Sequence, residues 1–261
     1  MKIFKFTLLI GLLAVLSFQS CKKNYETPPD LPPAASFITD FSDFDRDKAV
    51  ADSTNWKFAA TNVGVWNFII TVGLAVPVAS YIEAVNNHTP VYLSDNTWLW
   101  EYSFTDLLGT KYTAKLYGIL YSESVDWEMY ISKENVYIDF LWYTGTSLTD
   151  GTEVDWILNE GPNKSGELLS IEYNKTSDNT GNIKYMNIVP GGAENGGYIM
   201  YGNDSETNLN AYYHIYNKGQ DNLTEIEWCQ TEKAGRVKDF TYFQDNEWHC
   251  WNEKLQDVVC D

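Results

Sequence analysis

Residues 98–104 read Trp98-Leu99-Trp100-Glu101-Tyr102-Ser103-Phe104, an aromatic at every second position. Side chains alternate between faces along a strand, so this run predicts one face packed with large rings and one facing water. The same period returns in Tyr112, Ala114, Leu116, Gly118 and Leu120, in Trp127, Met129 and Ile131, and in Val154, Trp156 and Leu158. It continues through Leu169, Ile171 and Tyr173, then Ile183 and Tyr185, with further runs centred on Ile199, Tyr213 and Trp228. Asp150-Gly151, Asp178-Asn179-Thr180-Gly181, Gly191-Gly192, Gly202-Asn203-Asp204 and Lys218-Gly219 separate the runs as turns. Trp98, Trp127 and Trp156 are equally spaced, one hairpin apart. Even spacing with short turns predicts an antiparallel up-and-down meander of about ten strands over residues 97–240, followed by a tail over 241–261.

Ahead of the meander, residues 46–87 read as helical. Asp43, Asp45 and Asp47 cluster where a helix N-terminus favours negative charge. The same Asp-x-Asp-x-Asp opens a calcium-binding loop. That loop needs Gly at its sixth position and Glu at its twelfth, where this chain has Lys48 and Thr54. Phe58 to Ile82 holds no charged residue and is long enough to span a bilayer. Gly64, Asn67, Thr71, Gly73 and Pro77 dilute its apolarity, and Pro77 suits the first turn of a new helix. Two core helices are expected, over 46–73 and 77–87. Their apolar residues (Trp56, Val63, Trp66, Phe68, Ile69, Ile70, Leu74, Val78, Tyr81, Ile82) would be covered on several sides. The fold class is therefore α+β. A curved meander, either an open half-barrel or a closed barrel, packs on N-terminal helices. In architecture this resembles the lipoprotein-carrier and lipoprotein-receptor proteins of the bacterial envelope, with no shared motif.

The chain opens with Lys2 and Lys5, then an apolar run from Phe6 to Leu16, too short for a bilayer span and fitting a signal peptide. Leu16-Ser17-Phe18-Gln19-Ser20-Cys21 resembles the lipobox of bacterial lipoproteins, departing from it at Phe18 and Gln19. The resemblance implies a signal peptide over 1–20, lipidation at Cys21 and a cell-envelope location. With no Asp after Cys21, it favours the outer membrane. The acyl chains would be the contact with the membrane. Pro28, Pro29, Pro32 and Pro33 predict an extended tether over 21–36, leaving 37–261 as a single domain.

The 261 residues carry 18 basic and 36 acidic side chains, a net charge of −18. Such a surface repels nucleic acid, which is excluded as a partner. Of the four cysteines, Cys250 and Cys260 are expected to pair, and Cys229 to be a buried free thiol inside a strand. His88, His214 and His249 are far apart in sequence, so no base for a catalytic thiol is indicated. No Ser-His-Asp order, phosphate-binding loop or metal-ligand spacing appears, and no cofactor or enzymatic activity is expected. Glu225 and Glu227 share one strand face, with Glu101 and Glu128 on other strands. Paired carboxylates could hydrolyse glycosides, but a solvated sheet face carries such residues anyway.

The aromatics are the remaining signal: 10 Trp, 18 Tyr and 12 Phe. Tyr212, Tyr213 and Tyr216 put rings on both faces of one strand, and Tyr117 and Tyr121 lie opposite Leu116 and Leu120. Trp66, Trp100, Tyr117, Tyr121 and Tyr213 are the candidate ligand contacts. They suit an apolar or amphipathic ligand such as a lipid on the concave side of the sheet. A glycan-binding or adhesion module, and a structural envelope protein without a small ligand, are the alternatives.

Overall fold

Trp98, Trp100, Tyr102 and Phe104 are all buried, while Glu101 and Ser103 between them are exposed. This alternation recurs along most long strands of a computed structural model, which describes residues 27–45, 48, 50–106, 108–178, 180–205 and 208–260. The leader, Cys21, Arg46 and Asp47 lie outside the described residues.

Fourteen strands are hydrogen-bonded in sequence order, each antiparallel to the next. They are β1 (Val91–Tyr92), β2 (Thr97–Thr105), β3 (Lys111–Leu120), β4 (Ser124–Lys133), β5 (Tyr137–Leu148), β6 (Glu153–Gly161) and β7 (Lys164–Lys175). Then follow β8 (Gly181–Asn187), β9 (Tyr198–Asn203), β10 (Ala211–Asn217), β11 (Asn222–Trp228), β12 (Gly235–Lys238), β13 (His249–Trp251) and β14 (Asp257–Val258). The expectation of about ten strands was low because β1 and β12–β14 are two to four residues long, too short to show a period. The tail over 241–261 is part of the sheet: β13 pairs with β12, and β14 with β13. The sheet does not close, and its edges β1 and β14 have two residues each. Edges this short offer little template for pairing with another chain.

Register explains the equal spacing of the tryptophans. Trp98 stands opposite Gly118, Gly118 opposite Trp127, Trp127 opposite Gly145 and Gly145 opposite Trp156. One rung of the sheet thus alternates indole with glycine. A Cβ at Gly118 would sit 2.7 Å from the Trp127 ring, and one at Gly145 would overlap the Trp156 ring. Each indole occupies the space that its glycine neighbour leaves empty.

The helical segment differs from its expected form. Helix α1 spans Thr54–Phe68, a π-helical turn spans Ile69–Gly73, and helix α2 spans Ala75–Asn87. Pro77 falls in the first turn of α2, as its missing N–H requires. The two helices meet at 71°. Among the described residues no single helix is long and apolar enough to cross a membrane, and only this bent pair passes together, by length and composition. α2 packs on β2, and α1 on β10 and β12–β14, so the pair bridges the two ends of the curved sheet. Trp56, Val63, Ile70, Leu74 and Tyr81 are buried as expected, but Phe68 and Ile69 are exposed, with Val65 and Val72. The helix is covered on one side, not on several.

Nor does α1 start at the aspartate cluster. Asp43 lies in a short 3-10 turn (Ser42–Phe44) and accepts hydrogen bonds from Lys233 Nζ at 2.6 Å and Trp228 Nε1 at 3.1 Å. The α1 N-terminus is capped instead by Asp257 of β14. Its two carboxylate oxygens accept from the amides of Thr54 (3.0 Å) and Asn55 (2.9 Å).

Residues 31–45 form an inner strap between helices and sheet, so the chain enters the core before the expected end of its tether at residue 36. Pro32 and Ser36 are buried. Phe37 stacks on Tyr81 (4.8 Å between centroids), and both pack on Tyr143 and Trp156. Phe44 packs among Trp56, Tyr213, Trp228 and Trp251. Buried backbone carbonyls need donors, and three tyrosine hydroxyls supply them: Tyr81 to Pro32 (2.7 Å), Tyr185 to Phe37 (3.4 Å) and Tyr213 to Asp40 (3.5 Å).

Candidate functional site

Cys250 and Cys260 form the expected disulfide. Cys229 is a free thiol, but partly exposed and just beyond β11 rather than buried within a strand. The Thr231 hydroxyl and the Glu232 amide hold its thiol below the ordinary pKa. Of the carboxylates considered for glycoside hydrolysis, two are paired across strands: Glu225 with Lys238 and Glu227 with Arg236, both at 2.6 Å. Among the described residues no three His, Cys, Asp or Glu side chains converge as a metal site.

Among the described residues, three clefts stand out. One of about 610 Å³ is lined by Asp40, Lys175, Asp178, Asn203 and Gln230 among others, and one of about 860 Å³ lies between the strap and α1. The third, of about 770 Å³, has the most apolar walls and lies where α1 and the π turn pass over one end of the sheet. Phe58, Asn62, Val65, Trp66 and Ile69 reach it from one side of the helix, as three- and four-residue spacing requires. The π turn takes an extra residue per turn. It leaves Ile69 and Val72 on the cleft while Ile70, 0% exposed, goes to the core.

The floor comes from Leu168 and Leu169 of β7, Ile215 of β10 and Thr224 of β11. Neighbours in a regular strand point to opposite faces, yet both leucines line the cleft. The cause is a register shift: Leu158 pairs with Leu169 but Asn159 with Glu167, so Leu168 is the extra residue of a bulge. Bulges re-aim side chains in this way, often beside functional sites. Short helix α3 (Phe240–Phe243) forms the far wall, where Tyr242 stacks on Phe58 with centroids 4.0 Å apart.

Polar side chains line it as well: Asn187, Glu194, Asn217, Gln220, Asn222 and Asp239. Asp239 is 3% exposed and fully engaged. Its Oδ1 accepts from the Tyr242 amide (2.8 Å), capping α3, and its Oδ2 from Asn222 Nδ2 (2.8 Å) and Thr224 Oγ1 (2.5 Å). Glu194, in the connection between β8 and β9, accepts from the Gly219 amide (3.4 Å) and so joins that loop to the β10–β11 turn.

Of the five aromatic candidates, Trp66 lines this cleft. Trp100 (2% exposed) and Tyr213 (1%) are core residues, packed on Trp127 and on Phe41, Phe44 and Trp228. Both face the concave side as alternation demands, but helix and strap cover them, which strand period alone does not reveal. Tyr117 lies on the outer face against Tyr130, and Tyr121 is exposed beyond the end of β3. The structure does not gather these five. Reading the sequence missed Val65, Val72, Leu168, Glu194 and Asp239. The available signal for Leu168 was Gly161-Pro162 and Gly166, two glycines with positive φ that mark an irregular hairpin.

No family model, curated protein or solved structure matches this chain.

Proposed function

We propose that this is a lipid-anchored protein of the cell envelope, tethered to the outer membrane through Cys21, that holds an apolar or amphipathic ligand non-enzymatically. The cleft beneath α1 carries the reading. Its volume of about 770 Å³ falls within the roughly 300–1,000 Å³ typical of small-ligand sites, and it pairs apolar walls with a few polar groups. Exposed Val65, Phe68, Ile69 and Val72 continue the apolar surface outward. Exposed apolar side chains grouped in this way mark binding surfaces.

Mass spectrometry of an organic extract of the purified protein tests it. The expected result is about one amphiphile per chain. An empty extract, together with no saturable binding of any long-chain amphiphile, would overturn it. The outer face favours a second reading, as a glycan module. Tyr198 and Tyr216 (5.7 Å apart) and Tyr212 and His214 (4.9 Å) expose ring surfaces there on β9 and β10. Saturable binding of an oligosaccharide that is lost in Tyr212→Ala would favour that reading.

A further inference from the structure

We propose that the cleft selects a single-chain amphiphile whose head donates hydrogen bonds and carries no negative charge. This rests on the cleft being a ligand site and adds which amphiphile it takes. The cleft is lined by both apolar and polar side chains, so a bound amphiphile meets both. Its chain would lie on apolar residues such as Trp66, Val72 and Leu169, and its head on polar ones such as Glu194.

The charge of the lining is one-sided. Its two carboxylates are those of Glu194 and Asp239, and among the described residues no Lys, Arg or His lines the cleft. Lys218, in the adjoining turn, is not a lining residue; its ammonium stands over the ring of Tyr216, which is one, 6.0 Å from the centroid. Lys238, next to Asp239, is paired with Glu225. An anionic head would therefore meet two carboxylates, no cation among the described lining residues and the field of a chain with net charge −18. Juxtaposed like charges reject wrong partners.

The hydrogen-bonding chemistry has the same sense. Ionised carboxylates only accept hydrogen bonds, and amide side chains both donate and accept. Asp239 spends three bonds on its own neighbours. Glu194 holds one amide, at 3.4 Å, and is exposed at the rim with acceptor capacity left. A hydroxyl or ammonium head satisfies that capacity, whereas a carboxylate or phosphate head does not.

The test compares three ligands of equal chain length at neutral pH: a monoacylglycerol, an alkylamine and a fatty acid. Each is titrated below its micellar concentration against the whole protein carrying a polarity-sensitive fluorescent probe. The expected result is that monoacylglycerol and amine displace the probe while the fatty acid binds at least about tenfold more weakly. Glu194→Gln keeps an acceptor for the Gly219 amide. It should strengthen fatty-acid binding several-fold and so narrow the ratio between fatty acid and monoacylglycerol. A fatty acid that binds as tightly as the monoacylglycerol overturns the proposal, as does a ratio unmoved by Glu194→Gln. If the probe itself does not bind, the ligand-site reading fails, an outcome distinct from loss of selectivity.

Discussion

At the scale of single residues, the sheet is built on pairs of glycine and aromatic ring directly opposite one another. Gly118 with Trp127 and Gly145 with Trp156 lie on the central rung, and Gly202 with Tyr212 and Gly235 with Trp251 repeat the device further on. Gly145→Ala should force the fully buried Trp156 out of its place and cost about 1–3 kcal/mol, the usual penalty for overpacking. Urea denaturation checks this; a midpoint unchanged from wild type would show that the ring has room. The rung was half legible in the sequence. Equal spacing of Trp98, Trp127 and Trp156 announced the hairpin length, but pairing with glycine depends on register, which only the folded sheet displays. The candidate aromatics show the same limit. Trp100 and Tyr213 were placed on the correct face, yet whether a ring on that face is covered depends on strap and helix, elements remote in sequence.

At the scale of elements, the two ends of the chain hold each other. Asp257 caps α1 while lying inside the loop closed by Cys250–Cys260, and Asn55 Nδ2 donates to the Cys250 carbonyl at 3.0 Å. Opening the disulfide therefore acts on a helix some two hundred residues away. Cys260→Ser with Cys250→Ser should lose about 2–3 kcal/mol through loop entropy. It should also speed hydrogen exchange at the Thr54 and Asn55 amides. Asp257→Ala removes the cap alone and should cost about 1 kcal/mol while speeding the same two amides. Unchanged exchange in both variants would contradict the cap. Pro77 announced the start of a second helix because its constraint is local. The aspartates near residue 43 misled because they satisfy the rule for a helix N-terminus while serving the sheet through Lys233 and Trp228. The π turn leaves no local signal at all: Ile69 to Gly73 is apolar whichever way it winds, and its outward rotation of Ile69 and Val72 shapes the cleft.

At the scale of the whole molecule, the fold is an open curved sheet packed on a strap and a bent helix pair, and its interior is held by buried tyrosines. Burial raises the pKa of Tyr81, Tyr102, Tyr143, Tyr185 and Tyr213 above the ordinary value of 10.0. Each binds its phenolic proton more tightly in the folded state than in the unfolded one. Their contribution is therefore intact below pH 10 and is lost as pH rises above it towards the folded values. Alkaline titration should show tyrosinate absorbance rising together with loss of near-ultraviolet circular dichroism. Ionisation of these rings without loss of tertiary signal would show that their protons are dispensable. For the proposed anchor, Cys21→Ser should move the protein from the membrane fraction to the soluble one, and retention of the variant in the membrane would contradict anchoring by lipid. The meander was legible because fourteen antiparallel strands in sequence order need only local turns and a period of two. The cleft was not, because it joins α1, β7, β10, β11 and α3, whose meeting depends on sheet curvature and on one bulge. The central claim is that this cleft holds an amphiphile, and a crystal grown with a bromoalkyl monoacylglycerol tests it most directly. The account predicts bromine density between Trp66 and Leu169; a saturated crystal with bromine only elsewhere, such as over the outer-face tyrosines, would contradict it.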